Sequence, residues 1–325
     1  MHYEQNLLSS EVSEDDLKNY PVIVSNLTKI YNNDIIALSD LSVKFPKGAV
    51  GLLGPNGSGK STLIKILLGL VKPTRGDAWV LGENIKSSGS HLKWNIGYVP
   101  ENDCLPLSLN AVEICKLFGI ASGLSPYDAL QRAHEVLDYV GIEESRYREI
   151  KTYSTGMKQR VKLAQALVHD PPLLLIDEPT NGLDPKGREE MLELINNLKK
   201  VGKNIILSSH ILPDIEETCD YVVIIHNGQL VVVDSLNSVL SGAMQRILIS
   251  TDDNATFVKL LENLGCKIIR WNYDSIIVDL ETIDHTEIIK LAAKHNIGLK
   301  KLFRPKKSLE EFFLAALNID LVSEV

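Results

Sequence analysis

Apolar residues along this chain fall into two alternating textures. Val50–Leu53, Leu173–Ile176 and Asn204–Ser208 are short, largely apolar runs, the pattern of strands covered on both faces of a parallel sheet. Each is followed by a stretch with helical spacing of apolar positions: Ser61–Leu70, Gly187–Lys200 and Leu212–Cys219. Strand and helix in alternation predict an α/β core. Ahead of it, Leu38–Phe45 alternates roughly with period two and Gly76–Gly82 reads as a further strand, so a half-exposed antiparallel sheet is expected beside the core. From about Asn102 to Glu149 the text is helical and strand-poor, which predicts an inserted helical lobe over about 102–165. His226-Asn227-Gly228-Gln229 predicts a type I′ hairpin, because Asn-Gly supplies two positive φ values.

After about Ser241 the pattern restarts. Arg246–Ser250, Lys267–Trp271 and Ser275–Leu280 read as strands; Phe257–Leu264, Thr286–Lys294 and Ser308–Leu317 read as helices. The order β-α-β-β-α predicts a small α+β domain over 242–325, behind a main domain over 21–241. Residues 1–20 are expected to be an acidic extension, with Glu14, Asp15 and Asp16 a solvated run or a helix start.

Composition narrows the class. Of 325 residues, 44% are hydrophobic and 23% charged, which excludes a mostly disordered chain. The formal charge of −8 argues against a general nucleic-acid binder, which needs a basic surface. No apolar run approaches a membrane span, and the acidic N-terminus lacks the basic start and apolar stretch of a signal peptide, so a cytosolic chain is expected. Cys104, Cys115, Cys219 and Cys266 show no metal-site spacing and are expected to be reduced core thiols.

One segment carries explicit chemistry. Gly54-Pro55-Asn56-Gly57-Ser58-Gly59-Lys60-Ser61-Thr62 matches G-x-x-x-x-G-K-[ST], between a predicted strand and a predicted helix. Glycines let the backbone curl so that successive N–H groups face phosphate oxygens, and the helix N-terminus adds partial positive charge. Lys60 then reaches the β- and γ-phosphates and the Ser61 hydroxyl ligates Mg²⁺. Downstream, Leu173-Leu-Leu-Ile-Asp177-Glu178-Pro179 ends an apolar strand in two carboxylates. Strand alternation points them in different directions. Asp177 is assigned to Mg²⁺, and Glu178 to polarising an attacking water as general base.

With these residues in place, 21–241 resembles the nucleotide-binding subunit of an ATP-binding cassette transporter. Tyr153-Ser154-Thr155-Gly156-Met157 is similar to that family's signature L-S-G-G-Q, with Tyr, Thr and Met as departures. The variant resembles a mostly exporting subgroup that pairs with separately encoded permeases. The resemblance implies a P-loop NTPase cassette, with a mixed, mostly parallel sheet, an antiparallel β subdomain and a helical lobe. It implies that Ser154, Thr155 and Gly156 close over ATP held by a second copy or a related cassette, that Tyr31 stacks on adenine, and that Asp184 crosses the dimer interface. It also implies that His210 contacts the γ-phosphate. Glu101 stands where the family usually has Gln, and as a carboxylate it can still ligate Mg²⁺. The cofactors implied are ATP and Mg²⁺. The partners are a second cassette and a membrane permease, with no direct nucleic acid. The implied location is peripheral, on the inner face of the cell membrane. The competing reading is a soluble cassette acting on ribosomes or nucleic acid; the acidic charge and the short span from Lys60 to Ser154 speak against it. Ser308–Leu314 resembles an ending common in the exporting subgroup.

Overall fold

The computed structural model describes residues 12–32, 34–88, 91–241, 246–271, 275–279, 285–303 and 308–317. The chain divides into two units between Leu236 and Asn237.

The first unit opens with helix α1 (Glu14–Asn19), closed at its start by a reciprocal Ser13–Asp16 capping box. Strands β1 (Val22–Tyr31) and β2 (Ile35–Phe45) follow, then β3 (Ala49–Leu53), helix α2 (Lys60–Leu67), β4 (Arg75–Val80), β5 (Glu83–Asn84) and β6 (Ile96–Val99). The helical lobe holds α3 (Ala111–Ala121), capped by Asn110, α4 (Pro126–Tyr139), capped by Ser125, and α5 (Thr155–Leu167). Then come β7 (Leu173–Asp177), α6 (Pro185–Lys200), β8 (Asn204–Ser208), α7 (Leu212–Thr218), β9 (Tyr221–His226) and β10 (Gln229–Ser235); α8 (Leu236–Ser241) starts at the boundary, its residues after Leu236 belonging to the second unit.

These strands form the two expected sheets. An antiparallel sheet runs β2-β1-β4-β5, and a six-stranded sheet runs β10-β9-β3-β8-β7-β6. In the second, β9, β3, β8, β7 and β6 are mutually parallel and only β10 runs antiparallel. Every residue of β3 and β7 is buried, which is why both read as unbroken apolar runs. One continuous core joins the sheets. Val22, Leu41 and Phe45 of the antiparallel sheet, Leu52 and Leu175 of the parallel one, and Leu63, Ile66 and Leu67 of α2 belong to it. Each such buried aliphatic contributes about 1.5–3 kcal/mol. The packing of α2 therefore fixes the loop between β3 and α2, at the C-terminal edge of the parallel strands where open α/β sheets bind ligands.

The second unit contains β11 (Arg246–Thr251), α9 (Asn254–Asn263), β12 (Lys267–Trp271), β13 (Ile276–Asp279), α10 (His285–Lys294), β14 (Leu299–Phe303) and α11 (Leu309–Ala316). Its sheet is antiparallel in the order β12-β13-β11-β14, a β-α-β-β-α-β arrangement. Ile249, Phe257, Leu261, Val278 and Ile288 form a core of its own.

Two expectations need correction. β14 escaped the strand reading because Lys300 and Lys301 interrupt its apolar pattern; as an edge strand it can carry exposed lysines, which block pairing with another chain. The acidic run opens α1, the helix start that is one of its two readings; within it Glu14 and Asp15 are exposed, while Asp16 is buried and ion-paired to the buried Lys44 at 3.0 Å. Cys115, Cys219 and Cys266 are buried, whereas Cys104 is exposed on the loop after β6. No helix among the described residues is long and apolar enough to cross a membrane.

Candidate nucleotide site

The loop 54–59 curls because its residues leave it few alternatives. Gly59 has φ +107°, and a Cβ there would lie 2.5 Å from the Ala37 carbonyl oxygen, so only glycine fits. Lys60 Nζ donates back to the carbonyls of Gly54 (2.6 Å) and Pro55 (3.2 Å), which ties the loop over its own ammonium. Ser58 is 2% exposed and its Oγ has no hydrogen-bond partner. A buried hydroxyl without a partner inside such a loop suits an anion with oxygen acceptors.

A cavity of about 330 Å³ opens beside the loop, lined by Asn56–Thr62 with Tyr31, Ile35, Ile36 and Ala37. Tyr31 stands at the end of β1 with its ring partly exposed, and Lys29 Nζ lies 4.8 Å from the ring centroid. The cavity thus joins an aromatic wall to an anion cradle.

Carboxylates gather at the adjoining strand ends. Burial pulls the Lys60 ammonium below its ordinary pKa, while the charges of Glu178, Asp177 and Glu101 act in the opposite sense. All three carboxylates are therefore within electrostatic reach of the lysine. Asp177, the last residue of β7, is buried and accepts a hydrogen bond from Ser208 Oγ at the end of β8.

The alternation argument for the acidic pair is corrected. Glu178 lies outside the strand with φ +48°, a left-handed conformation rare for a non-glycine residue. That turn, not the pleat, separates the two carboxylates. Glu178 Oε2 lies 2.7 Å from His210 Nδ1 and 3.3 Å from the His210 backbone nitrogen. The Glu178 side chain is 10% exposed and the His210 ring 60% exposed, so the pair bridges the buried strand end and the open face. Burial pushes the Glu178 carboxyl above its ordinary pKa, and the His210 hydrogen bond opposes this. A carboxylate so placed can take a proton from water more readily than an exposed one.

Ser154 caps α5, its Oγ accepting from the Met157 N–H at 3.3 Å. Thr155 opens the helix and Gly156 follows it. Asp184 caps α6, accepting from the Gly187 N–H at 3.2 Å. Ser154, Gly156 and Asp184 line a second cavity of about 410 Å³ with Met157, Arg160 and Glu190. No residue lines both this cavity and the one at the phosphate loop. One copy of the chain therefore presents two separate cavities.

Several supporting residues carry no motif. The Gly228 N–H donates to the Ser58 carbonyl at 3.0 Å, so the β9–β10 turn braces the phosphate loop. The buried Asp214 accepts from Thr180 Oγ1 and Arg188 Nε, tying the segment after Glu178 to α6 and α7. Lys162, 1% exposed in mid-α5, donates to the carbonyls of Pro100 and Glu101. The hairpin was legible from Asn-Gly, but its contact with residue 58 was not. Lys162 had one available signal, a lysine set among apolar positions of a helix.

Residues 38–181 match the family model described as ABC transporter. The linearmycin resistance ATP-binding protein LnrL of Bacillus subtilis is 34% identical over 298 residues, covering 89% of this chain and 96% of that protein. The bacitracin transport ATP-binding protein BcrA of Bacillus licheniformis is 34% identical over 300 residues, covering 90% of this chain and 96% of that protein. Among solved structures, a dimeric post-hydrolysis ATP-binding cassette bound to ADP and Pi superposes with a TM-score of 0.61 at 28% identity. It covers 66% of this chain and 98% of that one.

Proposed function

This chain belongs to the ABC transporter family as an ATP-hydrolysing subunit, and we propose that it powers export through a separately encoded membrane permease. In this reading the 54–62 loop and Lys60 hold the β- and γ-phosphates and Tyr31 stacks on the base. Glu178 takes a proton from the water that attacks the γ-phosphorus, and His210 orients Glu178 while facing the γ-phosphate. The water oxygen bonds to phosphorus as the bond to the β-phosphate bridging oxygen breaks, leaving ADP and phosphate.

The oxygen donors near Lys60 suit Mg²⁺. Ser61 lies in the first turn of α2 at the site, and Asp177 and Glu101 bring carboxylates within electrostatic reach of Lys60. No group of three or more His, Cys, Asp or Glu among the described residues would hold a metal unaided. Mg²⁺ needs none, because it binds through one or two carboxylates together with water and phosphate. When bound, it would offset charge on the phosphate oxygens.

Ser154, Gly156 and Asp184 are assigned to the nucleotide of a second copy or a related cassette, because their cavity is separate from that of the phosphate loop, and Thr155 is assigned with them as the residue between Ser154 and Gly156. The permease assignment is supported by the relatives' names and by Leu117, Phe118 and Ile120 of α3, large apolar side chains left exposed on the helical lobe. A permease partner would hold the chain at the inner face of the membrane. The C-terminal unit, with its final helix α11, is assigned an accessory role.

The observation that carries the catalytic reading is the buried Glu178 held by His210 beside Asp177. Glu178→Gln keeps the shape and removes the base, so the rate of phosphate release by the purified chain should fall about 100-fold or more. Near wild-type hydrolysis in that variant overturns the assignment.

A further inference from the structure

α5 begins at the Ser154 cap and runs beneath the loop that leaves β6. Eight residues along, about 12 Å at the helical rise, Lys162 is buried between Val161 and Leu163, which are also buried. An ammonium in such a setting needs partners for its three donors. Two go to consecutive backbone carbonyls, Pro100 at 3.0 Å and Glu101 at 2.9 Å. Asp103 Oδ1 stands 3.9 Å away, and one turn earlier on the same helix face Lys158 Nζ reaches Asp103 Oδ2 at 3.1 Å. Two lysines of one helix thus hold the segment 100–103. The Glu101 carboxylate acts electrostatically on both Lys162 and Lys60. The residue whose backbone Lys162 grips therefore belongs to the charge set around the phosphate loop.

We propose that Lys162 is a positioning residue for ATP hydrolysis, fixing the backbone from which Glu101 is presented to the Lys60 site and offsetting the Glu101 charge. The link ties the helix that starts at Ser154 to the loop bearing Glu101, so the two surfaces of one copy share a rigid element. The proposal rests on the reading of Glu101 as a residue of the nucleotide site.

The test is a double-mutant cycle on the full chain, with Lys162→Met, Glu101→Ala and the pair, measuring kcat, KM for ATP and the thermal midpoint. Lys162→Met should lower kcat about tenfold with KM within about threefold, and in the Glu101→Ala background, where no side chain is left to position, the same change should cost at most about threefold. Equal fold-losses in the two backgrounds, or no loss in kcat, overturn the proposal, since a lysine that only supports the fold acts alike in both. Should Lys162→Met not fold, Lys162→Gln keeps a donor but drops the charge and is read by the same comparison. Glu101→Ala alone tests the parent reading. Unchanged kcat and Mg²⁺ dependence there remove Glu101 from the site and overturn the proposal with it. A changed Mg²⁺ dependence with additive losses overturns only the Lys162 assignment.

Discussion

Asp16 belongs by sequence to an acidic run, yet the fold takes it inside. Its carboxylate accepts from the Ser13 backbone N–H at 2.9 Å and from the Lys44 ammonium at 3.0 Å, and the Lys44 side chain is 1% exposed. Burial works to raise the Asp16 pKa; the hydrogen bonds from Ser13 and Lys44 outweigh it and hold the group below its ordinary 3.8. The charged form is therefore favoured in the folded state. Its contribution is complete above the unfolded value and is lost as pH falls through the lower folded one. Asp16→Ala leaves Lys44 buried without its counter-ion and should cost about 3 kcal/mol in urea unfolding at neutral pH. Asp16→Asn should also flatten the acid side of the stability profile. A cost below roughly 1 kcal/mol for Asp16→Ala would place the pair in the weak class of exposed ion pairs.

At the level of elements, the β9–β10 hairpin has a task its turn motif did not announce. Gly228 has φ +75°, its N–H donates to the Ser58 carbonyl, and its own carbonyl accepts from the Ser39 N–H at 2.9 Å. A Cβ there would meet the Ala37 carbonyl oxygen and Leu38 Cα, both at 2.8 Å. Gly228→Ala should push the turn off the phosphate loop at a cost of about 1–3 kcal/mol. Equilibrium binding of ATP should weaken by roughly tenfold, the equivalent of about 1.4 kcal/mol. Unchanged affinity would show that the loop holds its shape without the hairpin. The contrast with the phosphate loop explains what a sequence yields. Residues 54–62 were legible because their chemistry is contiguous and local glycine geometry shapes it. The contacts of Gly228, Lys162 and Asp214 join segments far apart in the chain, and their partners are largely backbone carbonyls and residues without a motif. β14 was hidden for a related reason: edge position, not side-chain alternation, makes Leu299–Phe303 a strand. The separation of Asp177 from Glu178 was expected, but its cause is a single left-handed residue, which strand periodicity does not encode.

For the whole molecule, the decisive fact is that the phosphate loop and the Ser154–Asp184 surface line different cavities of the same unit. In the proposed reading, an ATP gripped by Lys60 meets Ser154 and Gly156 only if another copy supplies them. A two-fold dimer does this twice, because each patch on one copy meets the complementary patch on the other. The idea has a mixing test. Lys60→Ala disables the loop and leaves the second surface intact. Gly156→Asp puts a negative charge on the second surface; a Cβ there meets only Leu183 Cδ2, at 3.7 Å, so the fold accepts it. Each variant alone should lose nearly all ATPase activity, since every site in its homodimer contains one damaged half. Mixed dimers hold one site in which both halves are intact. An equimolar mixture should therefore recover activity, up to roughly a quarter of wild type with random pairing. If both halves of a site came from one copy, mixing would restore nothing, and the rate would remain the average of the two separate variants.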